Sequence, residues 1–223
     1  MRSSPSGPII EFMPDLVYLS LWLRGFEEQT MLGFWRQAME EFPVSSQALG
    51  VRSLAIYPLN WSETPVVEQA SGEGISAEET LQLANDFLHA DFAYEAQMNW
   101  DLWMPKAQEL SGGWEGRAQV VSIICLGSEF DPEGPDDRGH LQINFGPESN
   151  FLPAEEWALT PEEKKRLIVG PQVRENVENL VSYVRRLDKR LPVARRRLWS
   201  ESCENLAEKI LSFWNLKALE SKE

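Results

Sequence analysis

The sequence predicts an α+β fold: a mainly antiparallel, ferredoxin-like (split βαβ) sheet of about six strands, extended by a meander and a helical C-terminal third. Three observations lead there. Residues 16–103 alternate strand-like and helix-like apolar periods in the order strand, helix, strand, strand, helix, strand. Residues 118–146 add two more strand-like runs, and residues 160–219 carry only helical spacing.

"LVYLSLWLR" (16–24) is apolar at both alternate sets of positions, as in a strand with sheet on either side. In "FEEQTMLGFWRQAMEEF", Met31, Phe34, Trp35, Ala38 and Phe42 recur at helical spacing behind an acidic first turn, and Pro43 ends the run. "VRSLAIYPL" (51–59) and "TPVVEQA" (64–70) flank the turn-like "NWSE" and predict a hairpin. Ser76 and Glu79 form a capping box ahead of the stripe Ala77, Leu81, Ala84, Leu88. Right-handed crossovers between these elements predict that strand 16–24 lies beside strand 94–103, with both helices on one face.

"AQVVSIICLGSEF" (118–130) and "GHLQINF" (139–145) read as antiparallel additions. The connection 104–117 places Gly112, Gly113 and Gly116 around Trp114. Thr160, Pro161, Glu163 and Gly170 delimit a further helix. Val173, Val177, Leu180, Val184, Leu187 and Leu191 stripe the next one as far as Pro192, and Cys203, Leu206, Ala207, Ile210 and Trp214 stripe the last. Residues 1–13 read as a loose tail, and 14–223 as a single domain without solenoid repeats.

The 223 residues, 43% hydrophobic and 25% charged, have the balance of a globular chain. Two cysteines make no disulfide framework and match no metal spacing, and Cys125 in "VVSIICL" reads as a buried thiol, so a reducing, cytoplasmic setting is expected. The start has no apolar leader, and no stretch approaches the ~20 apolar residues that span a bilayer. The net charge of −14 divides unevenly: residues 1–160 hold 25 acidic and 7 basic side chains, residues 161–223 hold 10 and 14. An acidic body repels nucleic acid and anionic membrane, so neither is expected as a partner. The basic third is expected to lie against that body.

"YEAQMNWDLW" (94–103) carries the functional question. Tyr94, Ala96, Met98, Trp100 and Leu102 fall on one side of the strand; Glu95, Gln97, Asn99, Asp101 and Trp103 fall on the other. If helices cover Val17, Leu19, Leu21 and Leu23, the opposite row Tyr18, Ser20, Trp22 and Arg24 joins the polar face, together with His140, Gln142 and Asn144. A plain solvated face produces the same alternation. Aromatic rings that are costly to hydrate, and amides between Glu95 and Asp101, keep a contact surface open as the second reading. The expected ligand-binding set is Tyr18, Trp22, Arg24, Glu95, Asn99, Asp101, His140 and Asn144.

The function expected from this set is a binding or interaction module for a small polar ligand, a protein partner or a second copy of the chain. The alternative is an enzyme on the same face, with His140 or Glu95 as general base and Arg24 holding an anion. Glu95 and Asp101 lie about 20 Å apart along the strand, too far for a glycosidase pair. No cofactor motif or metal-ligand set is present: the acidic turn "DPEGPDDRG" (131–139) lacks the calcium-loop order. Of nine tryptophans, Trp35, Trp100 and Trp214 read as core, Trp61 and Trp114 as surface, and Trp22 and Trp103 as next most exposed.

Overall fold

A computed structural model describes residues 15–47, 49–105, 114–134, 138–152, 171–201 and 205–214. The expected tail 1–13, helix 160–170, Gly112, Gly113, Asp136, Asp137 and Cys203 lie outside the described residues.

Seven strands form one antiparallel sheet: β1 (Leu16–Leu23), β2 (Val51–Pro58), β3 (Val67–Ile75), β4 (Phe92–Pro105), β5 (Trp114–Leu126), β6 (Leu141–Pro147) and β7 (Val193–Ser200). The described helices are α1 (Glu28–Glu40), α2 (Ala77–Asn85), α3 (Pro171–Arg190) and α4 (Leu206–Trp214). The order across the sheet is β3-β2-β4-β5-β6-β1-β7. The α+β class, the β2–β3 hairpin and the β4–β5–β6 meander therefore form as the sequence predicts.

The ferredoxin-like placement of β1 beside β4 does not form. A strand has two edges, and β4 fills one with β2 and the other with β5, paired from Ala93–Leu126 to Pro105–Trp114. β1 pairs with β6 and β7 instead. Its apolar pattern correctly marked a strand flanked on both sides, but said nothing about which strands flank it. The connection through α1 consequently passes over β6, β5 and β4 before the chain enters β2.

β7 is the second departure, because residues 193–200 interrupt the expected all-helical third. "VARRRLWS" has no apolar alternation, since an edge strand pairs on one side only and keeps its charges in water. β3 also continues past the expected end at Ala70, through "SGEGI" to Ile75. There the β2 and β3 backbones approach so closely that a Cβ on Gly50 would stand 2.2 Å from the Ile75 carbonyl oxygen, and one on Gly74 would stand 1.8 Å from that of Leu49. Both residues have positive φ, which glycine alone adopts without strain.

The helices cover one face of the sheet. Leu19 and Leu21 of β1, Ile143 of β6, Ile123 of β5, Ala96 and Trp100 of β4 and Leu54 of β2 meet Met31, Trp35 and Ala38 of α1 and Val177, Leu180 and Tyr183 of α3. Trp35 Nε1 donates to the Ile123 carbonyl at 2.8 Å, and the Tyr183 hydroxyl to the Ala38 carbonyl at 3.0 Å. The two longest crossing helices are thereby tied to the sheet and to each other. At the start of α2 the predicted capping box is present, with Ser76 Oγ accepting from Glu79 N and Glu79 Oε2 accepting from Ser76 N. The basic third does meet the acidic body, through Arg186 with Glu41, Arg190 with Glu40 and Lys209 with Glu148.

Asn176 docks α3. It is fully buried, accepts from Trp103 N at 2.9 Å, and donates to the carbonyls of Trp103 at 2.8 Å and Asn150 at 2.9 Å. Asn176→Ala would leave those backbone groups unpaired and is expected to remove about 2–3 kcal/mol of stability, read from urea unfolding. A loss within error of zero would show that solvent replaces the amide.

Candidate functional site

Residues opposite one another in neighbouring strands share a face. The register places Trp199, Tyr18, Asn144, Ser122, Gln97 and Ser53 in one row across the helix-free face. The next row is Arg197, Ser20, Gln142, Ile124, Glu95 and Ala55. A third begins with Arg195 and Trp22. The predicted polar-aromatic face thus exists as one surface, although β5 and β6 separate its β1 and β4 portions.

Its two halves differ. On β4 the polar groups are engaged with their neighbours. Glu95 accepts from Ser122 Oγ at 2.6 Å and from Gln97 Nε2 at 3.3 Å, and Gln97 Oε1 accepts from Ser53 Oγ at 3.0 Å. Asp101 accepts from Ser45 Oγ, Ser46 N and Ser46 Oγ, which pins the chain between α1 and β2. Burial opposes its charge, yet these three hydrogen bonds outweigh that effect and hold its carboxyl below the usual range. Asn99 faces a depression beside Met39, Val44 and Leu49 at the start of β2. Glu95, Asn99 and Asp101 of the expected set stand apart from the β1 residues, and Asp101 acts as a loop anchor.

The β1–β6–β7 half gathers the rings. Tyr18 stacks on Trp199 with centroids 4.6 Å apart, and Trp199 Nε1 donates to Ser20 Oγ at 3.1 Å. The Arg195 guanidinium lies 4.3 Å over Trp22, and that of Arg197 5.6 Å from the Trp199 centroid. These contacts cover the aromatic rings that the sequence shows would be costly in water. Asn144 turns back on its own strand, accepting from Gly146 N. Arg24 lies in the turn after β1, exposed and off the face, its backbone N–H donating to the Pro192 carbonyl. Trp103, expected on the same side of β4 as Glu95, turns to α3, with Nε1 donating to Glu175 at 2.8 Å.

His140 extends the ladder one residue before β6. Its N–H donates to the Leu21 carbonyl and its carbonyl accepts from Leu126 N. Gly139, at positive φ, lets the chain pass β1 where a Cβ would stand 2.9 Å from the Leu21 oxygen. The imidazole stacks on Phe26, centroids 4.2 Å apart, and Nδ1 accepts from the Leu23 N–H at 2.9 Å. That bond satisfies a donor at the β1–β7 irregularity between Trp22 and Leu23. A backbone N–H can only donate, so Nδ1 carries the lone pair and Nε2 the proton. Burial pushes the His140 pKa down, keeping the ring neutral. The nitrogen that could act as a base is therefore already occupied, which removes support from the general-base role.

Beside Trp22 and His140 opens a cleft of about 300 Å³, lined on its far side by the loop residues 127–128, 130–132, 134 and 138–139. Phe130 from this loop caps Ala93, Ile124 and Leu126 of the sheet and is packed in turn by Trp61. Asp131 of the acidic turn is held by Arg138 at 2.9 Å. A second depression of about 800 Å³ surrounds Trp61 with Asp91, Glu129 and Glu133. Among the described residues no three His, Cys, Asp or Glu side chains converge as metal ligands, and Cys125 is fully buried with its thiol pKa pushed up.

Trp199, Arg195, Arg197 and Phe26 belong to this candidate surface and its cleft, and sequence reasoning missed them. The period-2 spacing of Arg195, Arg197 and Trp199 was a strand signal, hidden by the helical stripes on either side. No family model, no curated protein and no solved structure matches this chain.

His140 titration links to stability. Unfolded, the ring titrates near ~6.5; folded, its pKa is lower. Between those values the unfolded chain binds the extra proton, so stability falls as pH drops through that window and levels off below it. Urea midpoints are expected to fall more between about pH 7.5 and about pH 5 in the native chain than in His140→Gln. Equal falls would contradict a buried, neutral imidazole.

Proposed function

We propose that this protein is a binding module for a small polar ligand, which it takes on the β1–β6–β7 end of the helix-free sheet face. One observation carries the reading: Tyr18, Trp22, Trp199 and His140 come from β1, β7 and the residue before β6 and line one surface, already ordered by stacking and hydrogen bonds. Rings held in this way lose little freedom when a ligand settles on them.

The chemistry of the face favours binding over turnover. Glu95 and Asp101 are committed to serines and an amide, and the His140 lone pair to a backbone donor. A general base needs an available lone pair within reach of the substrate proton. No helix among the described residues is long and apolar enough to cross a membrane. Together with the cysteine usage, this accords with a cytoplasmic location, which belongs to the same proposal.

The test is a panel of neutral sugars, amino acids, carboxylic acids and heteroaromatic rings, added to the isotope-labelled full chain. At least one class is expected to give saturable amide and indole shifts confined to β1, β6 and β7. Tyr18→Ala and Trp199→Ala are each expected to weaken that class on the order of tenfold, the loss of one stacking partner. If every class leaves the spectrum unchanged while the chain is folded, the reading fails. Concentration-dependent shifts of the same residues without any ligand would point instead to self-association.

A further inference from the structure

We infer that the cleft beside His140 is a site for a neutral, flat heteroaromatic ring bearing a hydrogen-bond acceptor, such as a carbonyl or an unprotonated ring nitrogen. This assignment rests on the face reading above and names its ligand class.

Four features select this chemistry. The first is the donor. Because the Leu23 N–H occupies Nδ1, the only ring nitrogen left for a ligand is Nε2, and it bears hydrogen. His140 therefore presents a fixed donor, with no partner among the described residues. An acceptor satisfies it and another donor does not. The second is rigidity. The imidazole is clamped by the Phe26 ring and by backbone bonds on both sides, so its N–H direction is set before anything binds.

The third is shape. Trp22, Phe26 and Phe130 line the cleft, and Trp22 is half-buried with the Arg195 guanidinium over its ring. Flat rings stack on such walls, while puckered ones touch them at a few hydrogens. A volume of about 300 Å³ lies at the small end of ligand sites, where one or two rings fit. The fourth is charge. A neutral imidazole offers no cation, and Arg138 is paired with Asp131. Asp131 and Arg138 both line the cleft and offset each other, so its wall carries no net charge to draw an ion.

The experiment uses three probes with the labelled full chain: nicotinamide (flat, with a carbonyl), toluene (flat, no acceptor) and cyclohexanecarboxamide (the same acceptor on a puckered ring). Nicotinamide is expected to move the His140 imidazole, the Leu23 amide and the Trp22 indole in a saturable way. Each control should bind on the order of tenfold more weakly, having lost either the hydrogen bond or the stack. His140→Phe keeps a flat ring against Phe26 but no nitrogen, so nicotinamide and toluene should then bind alike. If that variant fails to fold, the three-probe comparison on the native chain still decides.

Equal binding of the three probes would overturn the assignment, as would nicotinamide shifts at Tyr18 and Trp199 alone. In the second case the face reading survives and only the cleft is wrongly assigned. If nicotinamide and every class in the earlier panel leave the spectrum unmoved, both fall together.

Discussion

The two-edge limit on a β-strand governs this structure. β4 and β5 form the longest ladder in the sheet, running from Ala93 and Leu126 to Pro105 and Trp114, and β2 closes the other edge of β4. Once those pairings exist, β1 can only join farther out, on β6. The chain then has to return from β1 to β2 over three intervening strands, and α1 makes that passage. Trp35 sits mid-way along it and bonds to β5, so the crossing is tied down where it is longest. The sheet order thus dictates which face the helices cover and which remains for chemistry.

That same order divides the helix-free face by chemistry. Around β4, carboxylates and amides satisfy one another or hold a neighbouring loop, as Asp101 does with Ser45 and Ser46. Around β1 and β7, rings and guanidinium groups stack in pairs. The division follows from side-chain reach. Short polar groups pair across adjacent strands about 5 Å apart, while large rings cover the small residues between them, such as fully buried Ser20. A surface with one self-satisfied end and one aromatic end has a direction, and the cleft lies toward the aromatic end.

His140 shows how one residue can serve both fold and site. Its Nδ1 satisfies a strand donor left at an irregularity, and that bond fixes where the ring proton resides. The glycine before it allows the close pass that brings the ring there. A histidine identified from sequence alone can be a base, a ligand or a structural acceptor. The Leu23 amide narrows that choice by taking the lone pair.

Much of this was legible in the chain. Alternation marked β1, β2, β4, β5 and β6, and helical stripes with the Ser76–Glu79 box marked α1, α2 and α3, because burial periodicity is a local property of consecutive residues. Alternation also placed Tyr18, Trp22, Glu95 and Asn144 on the polar side of their strands, and the register keeps them on one face. β7 was hidden because an edge strand has no need of apolar alternation, and Trp199 and its arginines were hidden with it. Strand order, the pairing of Arg195 with Trp22 and the tautomer of His140 were decided by tertiary structure alone. Each depends on which distant segment fills a free strand edge or meets an unpaired donor, and local side-chain pattern carries no record of that competition.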